Sequence, residues 1–241
     1  GLIVFVSLMV IAFKRTRAER RHIFAILALM IFVIIFEGFL NQGGTTLNLF
    51  IERIVNRHFF GFQLPTTFFF ALDPIFMLSV GPFLAGLWLF LSKRKLEPSV
   101  PAKFTIALFL LSLGFLVFVF AAFHAIMRSQ ASPLYIVLAY FIFPIAELCI
   151  VPISLSMVTR LAPKNLNAMM VGVWMLSSAA ASFLTGQVSK IGQVRFELTD
   201  VTALSHAAYI YRDAFLVSAM TLAIAAIVLF IARPFIKRLM L

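Results

Sequence analysis

The 241-residue chain is 63% hydrophobic and only 12% charged, with a mean hydropathy of +1.07. A soluble domain is roughly 45–50% apolar and about 25% charged, so this chain carries half the charge a wetted surface needs and a soluble globule is excluded. The net charge of +11 gathers in the gaps between apolar runs, a pattern of membrane topology rather than of a nucleic-acid surface, and the lone Cys149 excludes a disulfide scaffold.

Gly1 opens in the middle of an apolar run, GLIVFVSLMVIAF, with no initiator Met and no signal-peptide charge pattern. Residues 1–13 therefore read as a partial helix, and the chain as part of a longer polypeptide with residues missing upstream. The basic loop KRTRAERR follows at 14–21. Six full spans are then predicted near 22–42, 66–91, 104–126, 133–158, 166–189 and 209–232, since a spanning helix takes about 20 apolar residues. Backbone groups in hydrocarbon must pair within their own segment, so each run is a helix and the fold class is all-α, a polytopic membrane bundle over 22–241. The 29 Phe residues suit lipid contact.

The loops 14–21, 92–103 and 159–164 and the tail 233–241 fall on one side and hold 14 of the 20 Lys and Arg. Arg53, Arg57, Arg128, Lys190, Arg195 and Arg212 fall on the other. By the positive-inside rule the richer side, with the C-terminus, is cytoplasmic. On the outer side, NLFIERIVNRHFF at 48–60 reads as an amphipathic helix lying at the interface, with Glu52, Arg53, Asn56 and Arg57 on one face. The stretch 190–208, the longest polar gap, carries no readable pattern. Pro74 and Pro82 interrupt the second span and Pro144 and Pro152 the fourth, while Gly43 and Gly44 sit at the outer end of the first. Kinks are expected at these prolines, as in transporters whose spans move and also in static bundles.

The informative residues are acids inside the runs: Glu37, Asp73 and Glu147. A carboxylate at the bilayer centre costs roughly 2.5–3.5 kcal/mol on insertion scales, so it faces a cavity or a partner. Glu37 also fits against a polar helix neighbour, and Asp73, before Pro74, fits as the cap of a broken half-helix. Glu147, between Pro144 and Pro152, has the weakest structural explanation. Its answer is a proton, a cationic substrate, or a basic group from the missing part of the protein. His124 reads as an interfacial histidine and Cys149 as a packing residue. No metal spacing, phosphate loop or nucleophile elbow is present, so neither a cofactor nor a metal is expected and the chain is not read as an enzyme. Trp174, Ser178, Ser182 and Gly186 recur every four residues, a spacing that suits close helix packing or the lining of a cavity equally.

Three strings carry a family resemblance. LDPIFMLSVGPFLAGLWLFL at 72–91 resembles the eighth helix of proton-dependent oligopeptide transporters of the major facilitator superfamily. ELCIVPISLSMVTRLAPKNLNAMMVGVWML at 147–176 resembles their tenth and eleventh helices, and NQGGTTLNLFIERIVNR at 41–57 the outer end of their seventh. The resemblance implies the C-terminal six-helix bundle of such a protein, preceded at 1–13 by the last of the extra helices that bacterial members insert between bundles. It also implies an inner-membrane symporter of di- and tripeptides with protons, partnered by an N-terminal bundle of the same protein.

Residue by residue, the resemblance assigns the peptide amino terminus to Glu147 and the lining of the peptide site to Trp174 and Ser178. Asp73 stands where the family has an asparagine before proline, and an acid there would strengthen attraction for an ammonium or titrate itself. Asn41 stands where many members carry a proton-site glutamate before glutamine. Asn does not titrate. Glu37, one turn earlier on the same face, is the candidate substitute; otherwise coupling falls to Glu147, Asp73 and the missing half. The rival readings are a major facilitator transporter for another solute (an amino acid, nitrate or a drug) and a non-transporting receptor or intramembrane enzyme.

Overall fold

The computed structural model describes residues 16–59, 61–190 and 201–240. Among the described residues seven α-helices follow one another: α1 (Arg17–Leu40), α2 (Thr46–Ile54), α3 (Thr66–Lys93), α4 (Val100–Arg128), α5 (Pro133–Leu161), α6 (Asn167–Ser189) and α7 (Val201–Leu239). Six of them, all but α2, are long and apolar enough to cross a membrane. The expected spans are thus all present, and the protein is an integral membrane protein of the all-α class. The partial helix expected at 1–13 lies outside the described residues. The last span is longer than its apolar run: α7 begins at Val201 and takes in part of the polar gap whose conformation the sequence left open.

Helix starts follow from local chemistry. α1 opens on a reciprocal cap, in which the Glu19 N–H donates to Thr16 Oγ1 while the Glu19 carboxylate accepts from the Thr16 N–H. α4 and α5 start with Pro in the first turn, where the missing N–H costs nothing. Between α2 and α3 lies a two-residue antiparallel hairpin, β1 (His58–Phe59) and β2 (Phe62–Gln63), a small departure from an all-helical chain. Gly61 turns it at φ +82°, a conformation costly for any residue with a Cβ.

α4 is the central helix, packed against α5 and α7; α1 packs against α6 and α7, and α3 against α5. The core is aromatic: Phe50 of α2, Phe118 of α4 and Phe215 of α7 meet with ring centroids 5.1–6.0 Å apart. Phe115 and Phe143 extend the same cluster. The chain's phenylalanines therefore divide between a packed interior and outward-facing positions such as Phe83, Phe120 and Phe230, so lipid contact alone does not account for them. Gly114 makes the packing possible, because a Cβ there would collide with the Phe143 ring.

Two local expectations are corrected. The segment after the first span is helical only to Ile54, where Val55 turns extended and bridges to Ala131, so Asn56 and Arg57 are not on its face. Its apolar side, Leu47, Phe50, Ile51 and Ile54, is fully buried against protein rather than laid on lipid. Of the two readings that Ser178, Ser182 and Gly186 left open on α6, close packing is likewise not the one seen. Ser178, Ser182 and Gly186 are exposed, and the helix packs through Val173, Ser177, Ala181 and Thr185 instead. The close approach of α1 and α6 occurs at Gly38, where a Cβ would stand 2.6 Å from the Leu184 side chain.

Candidate functional site

A cavity of about 460 Å³ opens between the ends and middles of four helices. The end of α1 and the 3-10 turn after it contribute Leu40, Asn41 and Gly44, α2 contributes Leu47, α3 Phe70 and Asp73, and α5 Tyr140, Phe143 and Glu147. Glu147 is the central residue of the 29-residue α5. Tyr140, Phe143 and Glu147 recur at i, i+3 and i+7, which sets all three on one face of that helix. Phe70 and Asp73 do the same on α3.

Of the residues singled out from the sequence, Asp73, Glu147 and Asn41 are brought together here. Asp73 and Glu147 are half-buried, Asn41 is exposed at the rim, and among the described residues no hydrogen bond or ion pair meets either carboxyl group. Glu37 lies one turn before Asn41, also half-buried, and accepts a 2.9 Å hydrogen bond from Ser178 Oγ of α6. Trp174, one turn before Ser178, is buried in the core and does not line this cavity. His124 meets the Tyr135 ring at a tilt, with centroids 5.7 Å apart, near the C-terminal end of α4, and Cys149 is buried in packing.

One polar residue lining the cavity, Tyr140, escaped the sequence reading. The Tyr140 hydroxyl is buried and has no hydrogen-bond partner among the described residues, a condition that costs about 1–3 kcal/mol unless some other group answers it. Its signal was the spacing of seven residues from Glu147, easily lost in a run rich in Tyr and Phe.

The prolines add acceptors to the same space. Pro has no N–H, so Pro74 leaves the carbonyl of Phe70 without its helical donor, and Pro144 does the same to the carbonyl of Tyr140. Phe70 and Tyr140 both line the cavity. Both helices nevertheless run on through their prolines. The site thus holds two carboxyl groups, a tyrosine hydroxyl, an Asn amide and two residues with carbonyls released from the helix ladder, over a floor of Leu40, Leu47 and Phe143. Two ionised carboxyl groups lining one cavity repel, and the arrangement is relieved by a proton or by an organic cation such as an ammonium.

The C-terminal end of α1 is fixed by a separate polar knot. Gln42, fully buried, donates to the carbonyls of Gly38 and Thr185 and accepts from Thr46 and Ser189. It locks α1 to α6 immediately beside Asn41 and Glu37.

Comparison with known proteins bears on this arrangement. The chain is 32% identical over 229 residues to a dipeptide and tripeptide permease B of Xenorhabdus bovienii, covering 95% of this chain and 46% of that protein. It is 33% identical over 192 residues to the uncharacterized transporter YclF of Bacillus subtilis, covering 78% of this chain and 38% of that one. Among solved structures, a peptide transporter POT in complex with alafosfalin superposes with a TM-score of 0.83 at 26% identity, over 99% of this chain and 46% of that chain. The chain therefore spans less than half the length of the relatives it matches. The family model PTR2, described as the POT family, matches residues 2–199, and the chain belongs to the POT family.

Proposed function

We propose that this chain is the C-terminal six-helix bundle, 22–241, of a proton-coupled symporter that imports di- and tripeptides across the bacterial inner membrane by alternating access. In this reading residues 1–13 end an extra helix between bundles, 14–21 form a cytoplasmic basic loop, and the C-terminus is cytoplasmic, as the 14-to-6 division of Lys and Arg favours. The observation that carries the proposal is the convergence of Asp73 and Glu147 on one cavity with no cation among the described residues to answer them. Relatives named as dipeptide and tripeptide permease and as peptide transporter support the choice of substrate.

Glu147 and Asp73 receive the peptide ammonium, with Asn41 and the Tyr140 hydroxyl beside them. Glu37, held by Ser178, is the proton site in place of the non-titrating Asn41, and Trp174 stiffens α6 behind Ser178 and, with it, borders the peptide when the second bundle closes. Ammonium binding favours ionised Glu147 and Asp73, so peptide loading and proton release are linked. The test is uptake of dialanine into proteoliposomes under an imposed inward proton gradient. Glu147→Gln is expected to lose gradient-driven uptake, and unchanged gradient-driven uptake would remove Glu147 from the mechanism.

A further inference from the structure

The more basic end of the bundle carries a second built surface, unrelated to the peptide cavity. A groove of about 600 Å³ runs between the α3–α4 turn, α4 and α7. Its walls are Ile106, Phe109 and Leu110 of α4 and Phe230 of α7, and its mouth carries Lys95 and Arg233. An adjoining groove of about 530 Å³ shares Phe230 and Arg233 and adds Ile231 and Lys237. Phe230, Arg233 and Lys237 follow at three and four residues, so they lie along one face of α7.

The cations at the mouth are free to bind. Neither Lys95, Arg233 nor Lys237 enters an ion pair with another described residue. The one acid lining the groove, Glu97, is already matched by Lys103 at 2.6 Å, a bond that lowers its pKa from the ordinary value and offsets its charge locally. Lys95 is also placed at a conformational cost. It occupies the left-handed position (φ 58°) that ends α3, with the Lys95 N–H on the Ser92 carbonyl and the Leu96 N–H on the Leu91 carbonyl. Glycine is the usual residue there, and a long cationic side chain in its place calls for a function.

From this arrangement we infer that the paired grooves seat an anionic phospholipid, its phosphate held by Lys95, Arg233 and Lys237 and its two acyl chains running down either side of Phe230. A free anion would need only the cations; the apolar walls below them, on a chain that spans a bilayer, fit acyl chains. Each cation near an anionic lipid contributes about a fivefold gain in affinity.

Native mass spectrometry of the purified protein in detergent, titrated with dioleoyl phosphatidylglycerol or the matching phosphatidylcholine, reads the site. The expected result is retention of phosphatidylglycerol about tenfold over phosphatidylcholine, undiminished by excess inorganic phosphate. Arg233→Gln is expected to cut that preference about fivefold. Lys95→Gly removes the charge while relieving the strained φ, so it keeps the fold and is expected to show the same loss; Lys190→Gln, at the opposite end, is expected to show none. A preference that survives in both Arg233→Gln and Lys95→Gly, displacement by phosphate alone, or equal retention of the two lipids would overturn the proposal.

Discussion

Glu37, Asp73 and Glu147 were legible from the sequence because ionised groups are rare in apolar runs, and rarity is what a single sequence exposes. What it could not expose was their grouping. Asp73 and Glu147 are 74 residues apart in the chain yet line one cavity, while Glu37 stands a turn away with Ser178 as its donor. That division suggests separate duties. Glu37→Gln is expected to abolish gradient-driven uptake of dialanine while leaving peptide counterflow, which needs binding but no net proton movement, within about twofold of wild type. Tyr140 was invisible for a different reason: a tyrosine in a membrane run is ordinary, and only its buried, unpartnered hydroxyl marks it. Tyr140→Phe removes that hydroxyl without changing shape. Dialanine affinity, measured by isothermal calorimetry, is expected to fall about three- to tenfold, the worth of one hydrogen bond of about 0.5–1.5 kcal/mol. Thermal stability is expected to hold or rise, since an unanswered polar group is deleted.

At the scale of elements, the sequence carried the six spans well, because length and continuity of apolar residues are enforced by the bilayer and not by tertiary detail. It carried faces poorly. A run that is apolar all round has no stripe to read, so the packed face of α6 was not separable from its exposed one, and α7 extended into polar residues that no hydropathy pattern favours. The amphipathic α2 was legible as a helix with an apolar face, but not as one buried in protein: lipid and a Phe-lined core reward the same spacing. The Gln42 knot was also beyond reach, since its partners Thr185 and Ser189 are more than 140 residues away. Gln42→Ala takes the acceptor from the Thr46 hydroxyl and removes one hydrogen bond each from the Gly38 and Thr185 carbonyls and the Ser189 hydroxyl, which keep their bonds among Gly38, Thr45, Thr185 and Ser189. It is expected to destabilise the protein by about 1–3 kcal/mol, read as a lowered Tm in detergent, and to loosen the α1–α6 contact that sets Glu37 against Ser178.

For the molecule as a whole, Glu147 stands at the middle of its span in a bundle that covers less than half of its relatives' length, and with Asp73 it faces a cavity that no cation of the described residues lines. The account therefore turns on an amine arriving from solution to meet Asp73 and Glu147. Binding of dialanine against N-acetyl-dialanine, to the full transporter and to its Asp73→Asn/Glu147→Gln variant, measures that directly. The wild-type protein is expected to favour the free amine by at least about thirtyfold, roughly the 2 kcal/mol of a charge-assisted hydrogen bond, and the double variant to bind both peptides alike. A double variant that keeps the wild-type preference for the free amine would contradict the account.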